Sequence, residues 1–124
     1  MAKIVINSKI ISKDNEITEF NVNGILKDNK ITYYEEKSIV SILVCPKEIF
    51  LVKEDEEKKL ELNFKKGKIT HTNYLIKDLN FNINISTKTN ELKLLDNGFI
   101  IKYELYMNGE LSDVFKYTLE WRDL

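Results

Sequence analysis

The sequence predicts an all-β protein, a single antiparallel meander barrel of about 8–10 strands that spans residues 1–124 as one domain. Apolar and polar residues alternate with a period of two, which is typical of half-buried strands. Turn-forming residues stand where the alternation stops. A chain of 124 residues, 43% of them hydrophobic, can bury one core, and so many strands in one open sheet would leave long edges exposed, which favours closure.

The alternation is clearest in five segments, which lie at 20–26, 60–64, 79–87, 99–107 and 115–121. β-branched and aromatic residues are frequent in them, which supports strands over helices. The one helical competitor is Glu48–Leu62, where Glu54 and Lys58 have the spacing of a helical ion pair. The β-rich run 49–52 and the charged run 55–58 favour a hairpin there instead.

Turn signals separate these segments at Lys27–Lys30, Lys66–Lys68, Asp96–Gly98 and Asn108–Gly109. Asn-Gly pairs tolerate positive φ at both central positions of a type I′ turn, which suits tight antiparallel hairpins. We therefore expect eleven strands, some of them halves of one bent strand, at about 3–12, 16–27, 30–36, 38–45, 48–54, 59–66, 68–76, 79–89, 91–96, 98–107 and 113–122.

Charge and cysteine content narrow the function classes. Lys and Arg number 19 against 20 Asp and Glu, so the net charge of −1 gives no electrostatic case for nucleic acid or an acidic membrane. Cys45 is the only cysteine, and no run of residues is apolar enough for a signal peptide or a membrane span. We expect a cytoplasmic protein. The 18 Lys, 16 Ile and 13 Asn indicate a low-G+C bacterial source.

Several stretches, in their order and spacing, resemble the YwiB-like family of uncharacterised bacterial proteins. They are the strand at Gly24 with residues 31–36, then 60–67, Tyr74, 81–87 and 101–109. The resemblance implies a calycin, or lipocalin-like, β-barrel and a cytoplasmic setting, but no activity. The chain departs from the family at 76–79, where a Thr-Pro-Tyr-Gly-like turn is expected, and at Lys53, which stands where an arginine is expected and lacks its bidentate fork.

The motifs of common catalysts are missing from this sequence. It has no Gly-rich phosphate loop, Walker pattern, Cys-x-x-Cys or nucleophile elbow. His71 is the only histidine, so a multi-histidine metal site is excluded, and a nucleophile pair with Cys45 would need the fold to join them. We predict no metal and no cofactor, and the sequence favours a protein that is not an enzyme. An enzyme would need His71, a carboxylate and Cys45 or a tyrosine to converge.

Three hypotheses follow for the function. The first is binding of a small, partly apolar ligand inside the barrel, where polar groups among apolar walls would orient it. The predicted ligand-binding residues are Tyr33, Glu35, Lys53, His71, Asn73, Thr87 and Tyr103. An axial cavity of about 300 Å³ or more would favour this hypothesis.

The second hypothesis is a structural or interaction module with a filled barrel, which docks a protein partner or a second copy through outward apolar residues such as Ile25, Ile100 and Tyr106. The third is a nucleic-acid-binding, OB-like barrel, which would use the lysines at 65–68 and the aromatic stripe Phe115–Trp121 as a stacking platform. The spacing of that stripe is also what a core-facing terminal strand requires, and the acidic residues around the lysines weaken the third hypothesis.

Overall fold

A computed structural model describes all residues, 1–124, and every regular element in it is a β-strand. The ten strands are β1 Ala2–Ser12, β2 Ile17–Lys27, β3 Lys30–Glu35, β4 Ser38–Cys45, β5 Glu48–Glu54, β6 Lys58–Lys65, β7 Ile69–Ile76, β8 Phe81–Leu95, β9 Gly98–Met107 and β10 Glu110–Asp123. The chain has no helix long and apolar enough to cross a membrane.

The strands form a closed barrel in which each pairs antiparallel with its neighbours in sequence, and β1 closes the ring against β10. The predicted all-β meander barrel is therefore confirmed. One end of the barrel, called here the terminal end, contains both chain termini and the turns after β2, β4, β6 and β8. The turns after β1, β3, β5, β7 and β9 lie at the other, called the distal end.

Several details differ from the sequence prediction. The predicted strands 79–89 and 91–96 are one strand, β8, because a bulge at Asn90 shifts the register and leaves the ladder to β9 continuous. The bulge explains why Leu92, three residues after the inward Thr89, is also buried. The helical alternative at 48–62 is wrong, because β5, a turn and β6 occupy it.

The two Asn-Gly pairs behave differently. Asn108 and Gly109 have φ of 50° and 84° between β9 and β10, as a type I′ turn requires. The turn after β8 consists instead of Asp96 and Asn97. Gly98 is the first residue of β9, and its φ is not positive. A Cβ at Gly98 would lie 2.1 Å from the carbonyl oxygen of Leu119, so glycine is needed here for close packing of β9 against β10.

The core fills the barrel from the terminal end to about its middle. Fully buried side chains come from most strands, among them Ile4, Ile6, Ile42, Phe64 and Phe99. Towards the distal end, inward positions such as Phe20, Leu105 and Phe115 are only partly buried. The interior is therefore a packed core with two different mouths.

Two seams of the barrel are short. β2 pairs with β3 over four residues only, and β6 pairs with β7 over three. Where β6 and β7 diverge, the hydroxyl of Thr70 donates to the carbonyl of Asn63, and that of Thr72 donates to the carbonyl of Glu61 at 2.5 Å. Side chains therefore satisfy β6 carbonyls that the ladder leaves free.

Candidate functional site

Four of the predicted site residues lie at the distal mouth or in the interior directly below it. Tyr33 and Glu35 are two residues apart on β3 and point to the same side. Lys53 of β5 reaches Glu35 across β4, and its Nζ lies 3.2 Å from Oε2 of Glu35. About a third of each of these two side chains is exposed, so the ion pair sits at the rim in contact with solvent. Tyr103 of β9 is buried in the interior below it.

Three tyrosines make the middle of the interior polar. The side chain of Tyr117 interacts with those of Tyr33 and Ser8. Burial and the negative charge of Glu35 raise the pKa of Tyr33 to about 12. Burial, with smaller contributions from neighbouring charges, also raises the pKa of Tyr103 and Tyr117. All three phenols are neutral near pH 7, so they can orient a polar group but do not supply a phenolate base.

Thr87 is fully buried on β8 and faces the interior, as does Thr89. The Oγ1 atoms of both lack a hydrogen-bond partner within the protein. An unpaired buried hydroxyl costs free energy, and such groups are normally satisfied by water or by a ligand. Thr87 thus lies where the ligand hypothesis placed it, although its role stays a prediction.

His71 and Asn73 do not lie with the other predicted residues. Both are exposed on the outer face of β7, while Thr70, Thr72 and Tyr74 of the same strand face inward. Nδ1 of His71 lies 3.0 Å from Oγ of Ser86 on the neighbouring strand. The expectation that these two residues contact an interior ligand is wrong, because each face of β7 carries both polar and apolar residues and the period alone does not say which face is inside.

The structure separates Cys45 from His71. Cys45 ends β4 at the terminal end, whereas His71 lies on β7, three strands away around the wall. Three strand spacings of roughly 4.8 Å are too long for a hydrogen-bonded pair. No group of three or more His, Cys, Asp or Glu residues is arranged to hold a metal ion.

The aromatic stripe of β10 is not a nucleic-acid platform. Tyr117 and Leu119 are buried, and Phe115 and Trp121 pack against the same core. The lysines at 65–68 border an open groove with Lys47, and its lining contains no aromatic residue. Aromatic side chains for base stacking and lysines for phosphate contacts therefore do not lie on one surface. Single-strand binding would require both on the same surface.

A concavity at the terminal mouth is lined by residues that the sequence did not indicate as a binding site. It has a volume of about 360 Å³, and six of its ten lining residues are hydrophobic. Its lining includes the inward-facing side chains of Leu26, Val44, Leu94 and Trp121, together with residues of turns on opposite sides of the barrel. We call it the terminal pocket. The other four principal concavities each have only one or two hydrophobic residues in their linings.

Backbone hydrogen bonds hold the rim of the terminal pocket. The amide of Val44 donates to the carbonyl of Asn29 at 2.9 Å, which ties the β2–β3 turn to β4. The amide of Trp121 donates to the carbonyl of Asn97 at 2.9 Å, which ties the β8–β9 turn to β10. Both turns are therefore fixed against the barrel, so the pocket is formed without a ligand. A sequence signal was present, because the β10 stripe places Trp121 at the end of the inward series.

The barrel and its sequence match one family of known proteins. A family model described as "Domain of unknown function (DUF1934)" matches residues 4–120. The chain belongs to the DUF1934 family. The crystal structure of the ywiB protein from Bacillus subtilis is similar with a TM-score of 0.77 and 20% identity, over 99% of this chain and 92% of that one. These matches confirm the predicted family and the DUF1934 barrel fold. No curated protein matches the sequence.

Proposed function

We propose that this DUF1934 barrel binds a small, partly apolar molecule in the terminal pocket. The observation that carries the proposal is a preformed concavity of about 360 Å³ at a barrel mouth, with mainly hydrophobic lining. Ligand sites are typically of this kind, with volumes of roughly 300–1,000 Å³ and few polar groups. Cytoplasmic location and a non-enzymatic role belong to the same proposal, supported by the single cysteine and the missing catalytic motifs.

The lining indicates how such a molecule would be held. Leu26, Val44 and Leu94 offer aliphatic surface, and the half-buried indole of Trp121 offers a flat face for an unsaturated ring. Apolar surface removed from water contributes about 25 cal/mol per Å². Asn29 and Asp96 stand at the rim and would orient a polar substituent. The distal residues Tyr33, Glu35, Lys53 and Tyr103 are outside this pocket, and the proposal does not use them.

The experiment uses Trp121, the chain's only tryptophan, as an internal reporter. The probe is N-phenyl-1-naphthylamine, an uncharged aromatic molecule, because the pocket lining is mainly hydrophobic and its one charged residue is Asp96. We expect saturable quenching of Trp121 emission as the probe binds, with energy transfer to the probe. Binding elsewhere on the barrel without effect on Trp121 would contradict the proposal.

A matched pair of variants locates the binding. Leu94→Arg places a charged side chain in the terminal pocket, and Leu43→Arg places one on the outer face of β4. The two leucines are 38% and 39% exposed, so the variants disturb folding to a similar extent. We expect probe affinity to fall about tenfold or more in Leu94→Arg, the equivalent of about 1.4 kcal/mol, and to stay unchanged in Leu43→Arg. Equal effects would overturn the assignment to this pocket.

A further inference from the structure

Strand β2 keeps a free edge although the barrel is closed. It pairs with β1 from Ile17 to Leu26, but with β3 only from Gly24 to Lys27. Residues 17–23 make no backbone hydrogen bond outside the strand ladders. Their edge therefore presents unpaired N–H and C=O groups beside the open part of the β2–β3 seam.

The turn geometry identifies which groups are free. Lys27 and Lys30 flank a two-residue turn whose central residues, Asp28 and Asn29, have φ of 50° and 66°. In such a type I′ hairpin the flanking pair exchanges both backbone hydrogen bonds, and bonding then alternates along the strand. By this alternation, the odd-numbered residues of β2 direct their backbone groups away from β1. On the free edge these are Ile17, Glu19, Asn21 and Asn23.

This edge lacks the features that normally prevent strand pairing. The segment Ile17–Asn23 contains no proline, no lysine and no bulge, and it carries one charge. Ile17 is 59% exposed, and Glu19, Asn21 and Asn23 are exposed as well. Natural proteins usually protect a free edge with such devices, because an unprotected edge pairs with another strand.

We propose that the free edge of β2 pairs antiparallel with the same edge of a second copy, so that two barrels share one continuous sheet. With Phe20 opposite Phe20 of the second copy, Ile17 faces Asn23 and Glu19 faces Asn21. All four odd-numbered residues then find partners, and each pair exchanges two backbone hydrogen bonds.

Charge selects this register over its neighbours. Each Glu19 carboxylate lies opposite an Asn21 amide, which can donate to it, as the Asn7 side chain does within one copy at 3.5 Å. A shift of two residues in one direction would place Glu19 against Glu19, and like charges directly opposite are destabilising. A shift in the other direction pairs fewer residues. The segment is therefore self-complementary in one register, which is why we assign the edge to a second copy.

Analytical ultracentrifugation of the full chain tests the dimer. Asn21→Pro removes an N–H that points away from β1, so it leaves the β1–β2 ladder intact. Asn21→Ser loses the same side-chain bond to Asn7 but keeps the N–H. We expect wild type and Asn21→Ser to dimerise and Asn21→Pro to dissociate at least tenfold more readily. A wild-type chain that stays monomeric at about 1 mM, or equal dissociation constants for the two variants, would overturn the proposal.

A second pair of variants keeps the test decisive if Asn21→Pro fails to fold. Asn21→Lys places an ammonium opposite each Glu19 carboxylate and should tighten the dimer roughly tenfold, through two cross-strand charge pairs. Adding Glu19→Lys places lysine opposite lysine and should reverse the gain.

Hydrogen exchange should show the amides of Glu19, Asn21 and Asn23 protected in the dimer and unprotected on dilution. Protection that does not depend on concentration would contradict the pairing. The edge is remote from the terminal pocket, so this proposal and ligand binding succeed or fail separately.

Discussion

Of the four possible Gly→Ala substitutions, Gly98→Ala should destabilise the barrel most. The new Cβ would lie 2.1 Å from the carbonyl oxygen of Leu119 and 3.0 Å from Cα of Glu120, both backbone atoms. Relief requires β9 and β10 to separate by about 1 Å, since ordinary contact begins near 3.4 Å. That shift strains the register pair of Gly98 with Glu120 and the 2.9 Å bond from the Trp121 amide to Asn97.

The expected loss can be assembled from these contacts. Overpacking costs about 1–3 kcal/mol, a weakened hydrogen bond about 1 kcal/mol, and the stiffer unfolded chain returns about 0.5–1 kcal/mol. We therefore expect Gly98→Ala to lower the free energy of unfolding by about 3 kcal/mol, near the upper end of that range because the clash is with backbone. For a domain of this size that corresponds to a fall in Tm of about 10 °C.

Urea denaturation followed by far-UV circular dichroism measures this loss, with Gly67→Ala as the control. Gly67 has a φ of +72°, and a methyl group added to it would meet no atom within 4 Å, so alanine there costs only the left-handed strain of about 1–2 kcal/mol. If Gly98→Ala costs no more than Gly67→Ala, the close approach of β9 and β10 is not what requires glycine. Unfolding slopes should match between variants, because the exposed surface is the same.

Three further predictions concern the interior. Phe64→Ala should cost about 3–5 kcal/mol in urea unfolding, because Phe64 is fully buried and its ring lies 4.7 Å from that of Tyr103; a loss below about 1 kcal/mol would contradict this packing. Tyr33 has a folded-state pKa of about 12 against an ordinary 10, so the folded protein keeps a proton that the unfolded chain loses. Tyr33 alone should therefore lower the free energy of unfolding by about 1 kcal/mol per pH unit between about pH 10 and 12, in addition to the loss from Tyr103 and Tyr117, whose pKa values are also raised by burial. Tyr33→Phe should reduce the slope by about that amount, and an unchanged slope would refute the assignment. Glu35→Gln should change the free energy of unfolding by less than about 1 kcal/mol, because the ion pair of Glu35 with Lys53 is partly exposed. It should nevertheless lower the pKa of Tyr33 in an ultraviolet titration, and no fall in that pKa would refute the influence of the Glu35 charge on Tyr33.

Local sequence was sufficient for the strands and most turns. Period-two alternation identifies the residues that share a face, and Ile4, Ile6 and Ser8 of β1 do lie together in the interior. It does not reveal the bulge at Asn90, because an extra residue there interrupts the alternation in the same way as a turn would. The sequence places Gly98 both at the end of the turn signal Asp96–Gly98 and at the start of the strand 98–107. It does not show why glycine is needed there, since contact with β10 is invisible in the hairpin's own sequence.

The candidate site was less predictable than the fold. Tyr33, Glu35 and Lys53 converge because β3 and β5 flank β4, so that the Lys53 side chain meets Glu35 across it. The prediction for His71 and Asn73 was wrong because each face of β7 carries both polar and apolar residues. Only the hydrogen bonds of Thr70 and Thr72 to β6 show which face is inside. The terminal pocket depends on turns from opposite walls, which are far apart in sequence.

By itself the sequence determined an antiparallel all-β meander, its approximate strand limits and the pairs of residues that share a face, because alternation and turn chemistry are local properties. Only the tertiary structure decided where the ring closes, which seams stay short, which mouth carries an apolar concavity and which strand keeps a free edge. These features depend on how far each pair of strands stays in register before twist separates them, and that is set by contacts across the whole barrel.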